Sequence, residues 1–178
     1  MNPITATSLS IAIFGAIATW MALSPLSGLV LIWAIFIAWA AFAALGGDNT
    51  AFKNTVVCGI FGVFIGWIGA YGFLAIPYGE VLGTPLWAAL VVAVTAFAVV
   101  FASHISLFAA VPASVLAYAA TFAYLLQTEG KMSLQTLTSP SFENPLFLIS
   151  LSVILGAIFG KLSTVAAAKV TADSVMNP

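Results

Sequence analysis

From Leu86 to Leu126 the chain runs 41 residues without one Asp, Glu, Lys or Arg. A bilayer crossing takes about 20 apolar residues, so this run is too long for one crossing and about right for two. Its only polar interruption is Ser103-His104-Ile105-Ser106, which places one span at about Leu86 to Ala102 and the next at about Ile105 to Leu126. The rest of the chain has the same character: only 5% of its residues are charged and its mean hydropathy is +1.19. A water-soluble domain carries roughly 25% charged residues. The expected fold class is therefore all-α, a polytopic transmembrane bundle of about six spans forming one domain over residues 1–178.

The other spans follow from the remaining apolar runs. Ile4 to Leu23 begins after the uncharged Met1-Asn2-Pro3 and stops at Ser24-Pro25. It lacks the basic start and the small-residue cleavage site of a secretory signal, so it reads as a retained first span. Leu26 to Leu45 closes at Gly46-Gly47-Asp48-Asn49, a turn signal. Thr55 to Ile76 stops at Pro77, and a sixth span starts at Leu146. The longest loop, Gln127 to Pro145, holds Glu129, Lys131 and Glu143. Pro112 falls inside the fifth span, where it would free the carbonyl of Phe108 and kink the helix. In lipid such a break persists only where protein or a polar cavity satisfies it, so the stretch before Pro112 reads as a half-helix or re-entrant segment.

Six spans put Lys53, Lys161 and Lys169 on one side and Lys131 on the other. The basic-side rule then places both termini in the cytoplasm. A net charge of −1, with four lysines and no arginine, offers no basic patch for nucleic acid. Cys58 is the single cysteine and His104 the single histidine. Neither an intramolecular disulfide nor a multi-cysteine or multi-histidine metal or haem site is available, and no cofactor is expected. The motifs of nucleophile elbows, zinc hydrolases and phosphate loops are missing too, so no enzyme is expected.

Two sets of residues stand out within the spans. In the third, Gly59, Gly62, Gly66 and Gly69 recur at steps of three and four and share one face, with Phe61, Phe64, Trp67 and Tyr71 roughly opposite. The sixth repeats the device with Gly156 and Gly160. Small residues let helix backbones approach in lipid, either within one bundle or between subunits. In the fifth span Ser114, Tyr118 and Thr121 share a face. Either they line a path for a polar solute, or the Ser and Thr bond back to their own helix while Tyr118 reaches a neighbour. His104, at a span end, is an interfacial turn residue or a gating or pH-sensing group; no companion ligands stand near it for a metal. Trp20, Trp39 and Trp87 suit an interfacial belt, whereas Trp33 and Trp67 fall nearer mid-span, packing there or walling a narrow pore.

No span interior carries an acid, and ion-coupled carriers usually bury one. The charge pattern therefore favours a passive path for a neutral solute.

The whole chain also resembles the bacterial inner-membrane family known as domain of unknown function 1097. That resemblance rests on the Gly46-Gly47 loop, the glycine-rich third span, the stretch Ala110 to Ala123, and Leu155 to Lys161. It implies a membrane protein and assigns no activity. Two segments are similar to the urea transporter family: Ser24 to Ile32 to its Asn-Pro-x-Ser/Thr-Gly stretch, and Phe108 to Ser114 to its Leu-Pro-Phe-Asn element. The chain is also about the size of one inverted half of such a transporter. This likeness implies that Pro25, Gly28 and Pro112 shape the backbone beside a path that includes Ser24 and Phe108. Ser24 stands where that family favours Asn, Ala113 where it places a selectivity Phe, and Ser114 where it places a second Asn, so the urea-recognising residues do not carry over.

The expected function is a channel or facilitative transporter for a small neutral polar solute, urea-like or short-amide-like, in a homo-oligomer within the lipid bilayer. The alternatives are an accessory membrane subunit without transport and a proton-linked carrier using His104.

Overall fold

The computed structural model describes residues 1–176, with side chains through 172. Its helices are α1 (Pro3–Leu23), α2 (Ile32–Ala44), α3 (Asn49–Ala75), α4 (Gly79–Leu82), α5 (Thr84–Phe101), α6 (Val111–Gln127), α7 (Leu134–Thr138) and α8 (Pro145–Met176). Four of them, α1, α3, α5 and α8, are long and apolar enough to cross a membrane; α2 and α6 are shorter apolar helices. The chain is an all-α membrane bundle, as its composition requires. In lipid every backbone N–H and C=O must find an internal partner, which a helix supplies within itself.

Local signals set most of the helix ends. The Asp48 carboxylate accepts from the Ala51 N–H at 2.7 Å, so α3 starts six residues before the apolar run at Thr55. Gly46 and Gly47 take φ of 105° and 68°, and so turn the chain tightly from α2 into that cap.

Two expected spans are corrected. Leu26 to Leu31 is not helical: after α1 the chain runs through turns from Ser24, and α2 keeps only 13 residues. Likewise Ile105 to Ala110 is not α-helical: two short 3-10 turns, Ala102–His104 and Ser106–Phe108, precede a link, and α6 begins at Val111. Pro112 therefore lies in the first turn of α6, where its missing N–H costs nothing, and it kinks no helix. At about 1.5 Å per residue α2 is about 20 Å long, short of a hydrocarbon core of about 30 Å. It is a half-helix completed by the irregular segment before it. The chain thus has two helix breaks where one was expected.

The six principal helices form two layers of three. In one, α3 lies between α5 and α6; in the other, α8 lies between α1 and α2. The layers meet where α3 packs on α8 and α2 on α6. Each half of the chain thus gives its third helix to the layer of the other.

The loop after α6 folds back over the bundle end: Leu137 is fully buried, and Thr136 and Asn144 are buried with it. The Asn144 amide donates to the Leu137 and Ser139 carbonyls at 2.8 and 3.1 Å, while its oxygen accepts from the Leu146 N–H at 3.0 Å. Trp67 Nε1 donates to the Leu137 carbonyl at 2.9 Å, and the Tyr124 hydroxyl to that of Glu143 at 2.9 Å. The exposed acids Glu129 and Glu143 keep this loop's outer side in water.

Candidate functional site

Small residues fix how closely the layers are built. A Cβ added at Gly62 would fall on the backbone carbonyl of Ser114, and one at Gly156 on that of Ile35. At Gly66 it would meet Thr121 Cβ at 3.1 Å; at Gly160, Phe42 Cδ1 at 2.6 Å. At Gly59 it would meet Val153 Cγ1 at 2.7 Å, and at Gly69, Thr95 Cγ2 at 3.1 Å. All six glycines face helices of the same chain, and Phe64 and Tyr71 lie exposed on the outer side of α3.

These contacts repeat in a fixed pattern. What Gly62 and Gly66 of α3 do to Ser114 and Thr121 of α6, Gly156 and Gly160 of α8 do to Ile35 and Phe42 of α2. The register is constant: α2 maps onto α6 as Ile35 onto Ser114, and α3 onto α8 as Gly62 onto Gly156. The two breaks map onto each other in the same register. Leu29 N–H donates to the Leu26 carbonyl at 3.0 Å and Phe108 N–H to that of Ile105 at 2.9 Å. Phe108 stacks on Phe61 of α3 with ring centroids 4.2 Å apart; the equivalent Leu29 and Leu155 share one apolar cluster.

The halves are inverted relative to one another. Ala41 of α2 clusters with Ala110 and Ala113, at the start of α6, whereas Ala34 and Ala38 cluster with Ala117 and Ala120 further along it. So α2 and α6 cross antiparallel, and a pseudo-two-fold axis passes between them. The breaks Ser24–Leu31 and Ser103–Ala110 lie at opposite ends of the bundle.

The sequence carries this repeat, though reading span by span misses it. Ser24-Pro25-Leu26-Ser27 returns as Ser103-His104-Ile105-Ser106. Ala34, Ala38, Trp39, Ala40, Ala41 and Ala44 return as Ala113, Ala117, Tyr118, Ala119, Ala120 and Ala123. Sliding the sequence along itself exposes both matches, the weak internal symmetry of inverted-repeat membrane proteins.

The expected site residues divide between surface and core. Ser24 and Pro25 are exposed at the end of α1, and Phe108 is half-buried on Phe61. Ser114 and Thr121 are fully buried and Tyr118 is buried. Thr121 bonds back to the Ala117 carbonyl at 3.0 Å, and the Tyr118 hydroxyl meets that of Thr95 at 2.8 Å. Ser114 Oγ has no partner; nor has Thr55 Oγ1 of α3, a residue that sequence reading passed over. Hydroxyls in the other helices mostly bond back to the preceding turn, as Thr95 does to Val91 and Ser152 to Leu148.

Thr55 lines a void of about 10 Å³ where α2, α3, α6 and α8 cross, with Ala34, Ala38, Ala41, Ala113 and Ala117 among its walls. Such a space holds a single water at most. The core is closed at the axis. A much larger open groove of about 660 Å³ lies elsewhere, between α1, the end of α2 and α8, where Thr7, Ser163 and Thr164 line it.

His104 is exposed in the second break; its Nδ1 lies 2.9 Å from the Phe101 carbonyl and its ring 4.9 Å from that of Phe101. Among the described residues no group of three His, Cys, Asp or Glu is placed to hold a metal ion. Of the tryptophans, Trp39 is corrected from the belt to the core, where it is buried against Phe36 and Phe159. Trp20 is exposed, as a belt residue is. Trp33 faces outward, and Trp67 is tied to the folded loop. Outside the spans, Lys131 Nζ donates to Glu143 Oε1 at 2.9 Å, and that hydrogen bond raises the lysine pKa above its usual value.

Paired broken helices crossing on an inverted-repeat axis define the class: an integral membrane protein of helical bundle type with internal symmetry. Within that class, the chain belongs to the family described as "Protein of unknown function (DUF1097)", whose model matches residues 8–168. No curated protein and no solved structure matches the chain. None of these matches shows the likeness to urea transporters; of its two segments, Ser24 to Ile32 covers the first break, and Phe108 to Ser114 the end of the second and the first turn of α6.

Proposed function

We propose that this protein lies in a bacterial inner membrane with both termini in the cytoplasm and passes a small neutral polar solute passively, without catalysing a reaction. The observation that carries this reading is the pair of half-helices α2 and α6, each preceded by a break and crossing antiparallel at alanines. Short or interrupted helices at corresponding places in two inverted halves mark the solute site in transporters of that architecture. The charge distribution supports a neutral solute. Among the described side chains every Asp, Glu and Lys is exposed or half-buried, whereas a carrier coupled to an ion buries one. Since both inverted halves belong to one chain, the path runs within a subunit, and oligomer contacts between copies lie outside it.

The dry crossing is then the closed state, and the solute passes when the layers part. The same dryness favours a second reading, an accessory subunit with no path of its own. Purified protein in liposomes separates the two in a swelling assay with urea, acetamide, formamide and glycerol. Transport predicts faster entry of one or more of these than into empty liposomes; no acceleration across the panel overturns it in favour of the accessory role.

A further inference from the structure

We infer that the crossing between the two layers holds a binding site for a small neutral molecule with amide-like hydrogen-bonding groups, and that the Thr55 hydroxyl of α3 is its contact at the centre of the bundle. This deepens the proposed transport and rests on it. The two layers are built on one plan, but their buried positions differ in chemistry. Where the α2–α8 layer has Ile35, Trp39 and Phe42, the α3–α6 layer has Ser114, Tyr118 and Thr121; where α8 has Ile149, α3 has Thr55. The isoleucines show that these positions pack without a polar atom. The fold therefore does not need hydroxyls there. Ser152 is the reverse case, a hydroxyl opposite Cys58, and it has a structural role, because its Oγ accepts from the Leu31 N–H at 2.9 Å at the start of α2.

Thr55 has no such role. It is 1% exposed, its hydroxyl has no partner, and it lines the void on the pseudo-two-fold axis. Buried hydroxyls without partners are rare because they lose their water hydrogen bonds and gain nothing. A solute supplies the missing partner. One hydroxyl donates once and accepts twice, which matches a molecule carrying both N–H and C=O. The closed space holds a water at most, so the solute reaches Thr55 when the layers part, and walls free of charge then suit a neutral molecule.

The test compares wild type, Thr55→Val and Thr55→Ser in proteoliposomes loaded with urea or acetamide, with melting temperatures in detergent alongside. Valine keeps the shape and removes the hydroxyl. Flux should fall on the order of tenfold in Thr55→Val, the worth of one hydrogen bond to a desolvated solute, while Thr55→Ser keeps wild-type flux. Thr55→Val should melt no lower than wild type. Wild-type flux that is unchanged in Thr55→Val overturns this site and leaves transport standing. Absence of wild-type flux overturns transport and this site together. A Thr55→Val protein that melts below wild type also overturns the site, since the hydroxyl would then be holding helices together.

Discussion

Single atoms decide how closely these helices pack. Gly62→Ala puts a methyl group onto the Ser114 carbonyl, and no flexible side-chain end is there to move. Overpacking of this kind costs about 1–3 kcal/mol, so Gly62→Ala and its counterpart Gly156→Ala should both lower the melting temperature in detergent. Gly72→Ala, where an added Cβ meets nothing within 4 Å, is the control and should melt near wild type. Ser114→Ala should be neutral or stabilising, because it removes an unpaired buried hydroxyl whose desolvation costs about 1–3 kcal/mol. A melting temperature clearly below wild type would show that Ser114 has a partner. The glycine spacing was legible in the sequence, and so was its use in close packing. Whether it served one bundle or two subunits was not, because spacing shows which residues share a face and not what lies against it.

Among the elements, α2 depends on a neighbour for its start. No side chain of its own caps it, and the Leu31 N–H is held by Ser152 of α8. Ser152→Ala leaves that N–H unpaired at a cost of about 1–3 kcal/mol. Amide exchange at Leu31 and the first turn of α2 should accelerate more than at the start of α6; equal acceleration at both would refute the dependence. The folded loop behaves similarly. Asn144→Ala removes both donors to the Leu137 and Ser139 carbonyls and should make residues 128–144 more sensitive to protease, with α3 and α8 still intact. In the sequence this loop shows itself only by its charges, Glu129, Lys131 and Glu143. Asn144 ties the loop to itself, but what buries Leu137 is the core it packs into and the Trp67 N–H on its carbonyl, which comes from α3, 70 residues away in sequence. The half-helices were hidden for a related reason: an apolar run of 20 residues has the composition of a span whether or not all of it is helical.

For the whole molecule, the inverted repeat makes a topological prediction. In a Cys58→Ala background, Ser27→Cys and Ser106→Cys occupy equivalent places in breaks at opposite ends of the bundle. A membrane-impermeant thiol reagent added outside sealed vesicles of one orientation should label one and spare the other. Labelling of both from the same side would overturn the inversion. Flux also has a predicted pH profile. The Lys131–Glu143 pair contributes fully below the unfolded lysine pKa of about 10.4 and is lost only as pH rises through the raised folded value. It therefore adds no pH dependence near neutrality, and a passive neutral path has no proton to couple. Transport should be flat from about pH 5 to 8, the range in which a histidine titrates. A flux that changes several-fold across that range, and loses the change in His104→Ala, would favour the proton-linked carrier instead.

The scarcity of charge determined by itself that this chain is a helical membrane protein, since in hydrocarbon only a backbone that satisfies its own hydrogen bonds survives. It also determined that the spans carry hydroxyls and small residues in place of acids. Only the tertiary structure decided that the chain is two inverted halves, that it has two breaks, and that, among the described residues, Thr55 and Ser114 are buried hydroxyls without partners. Partners and voids are relations between helices far apart in sequence, and the local pattern of any one helix is compatible with many of them.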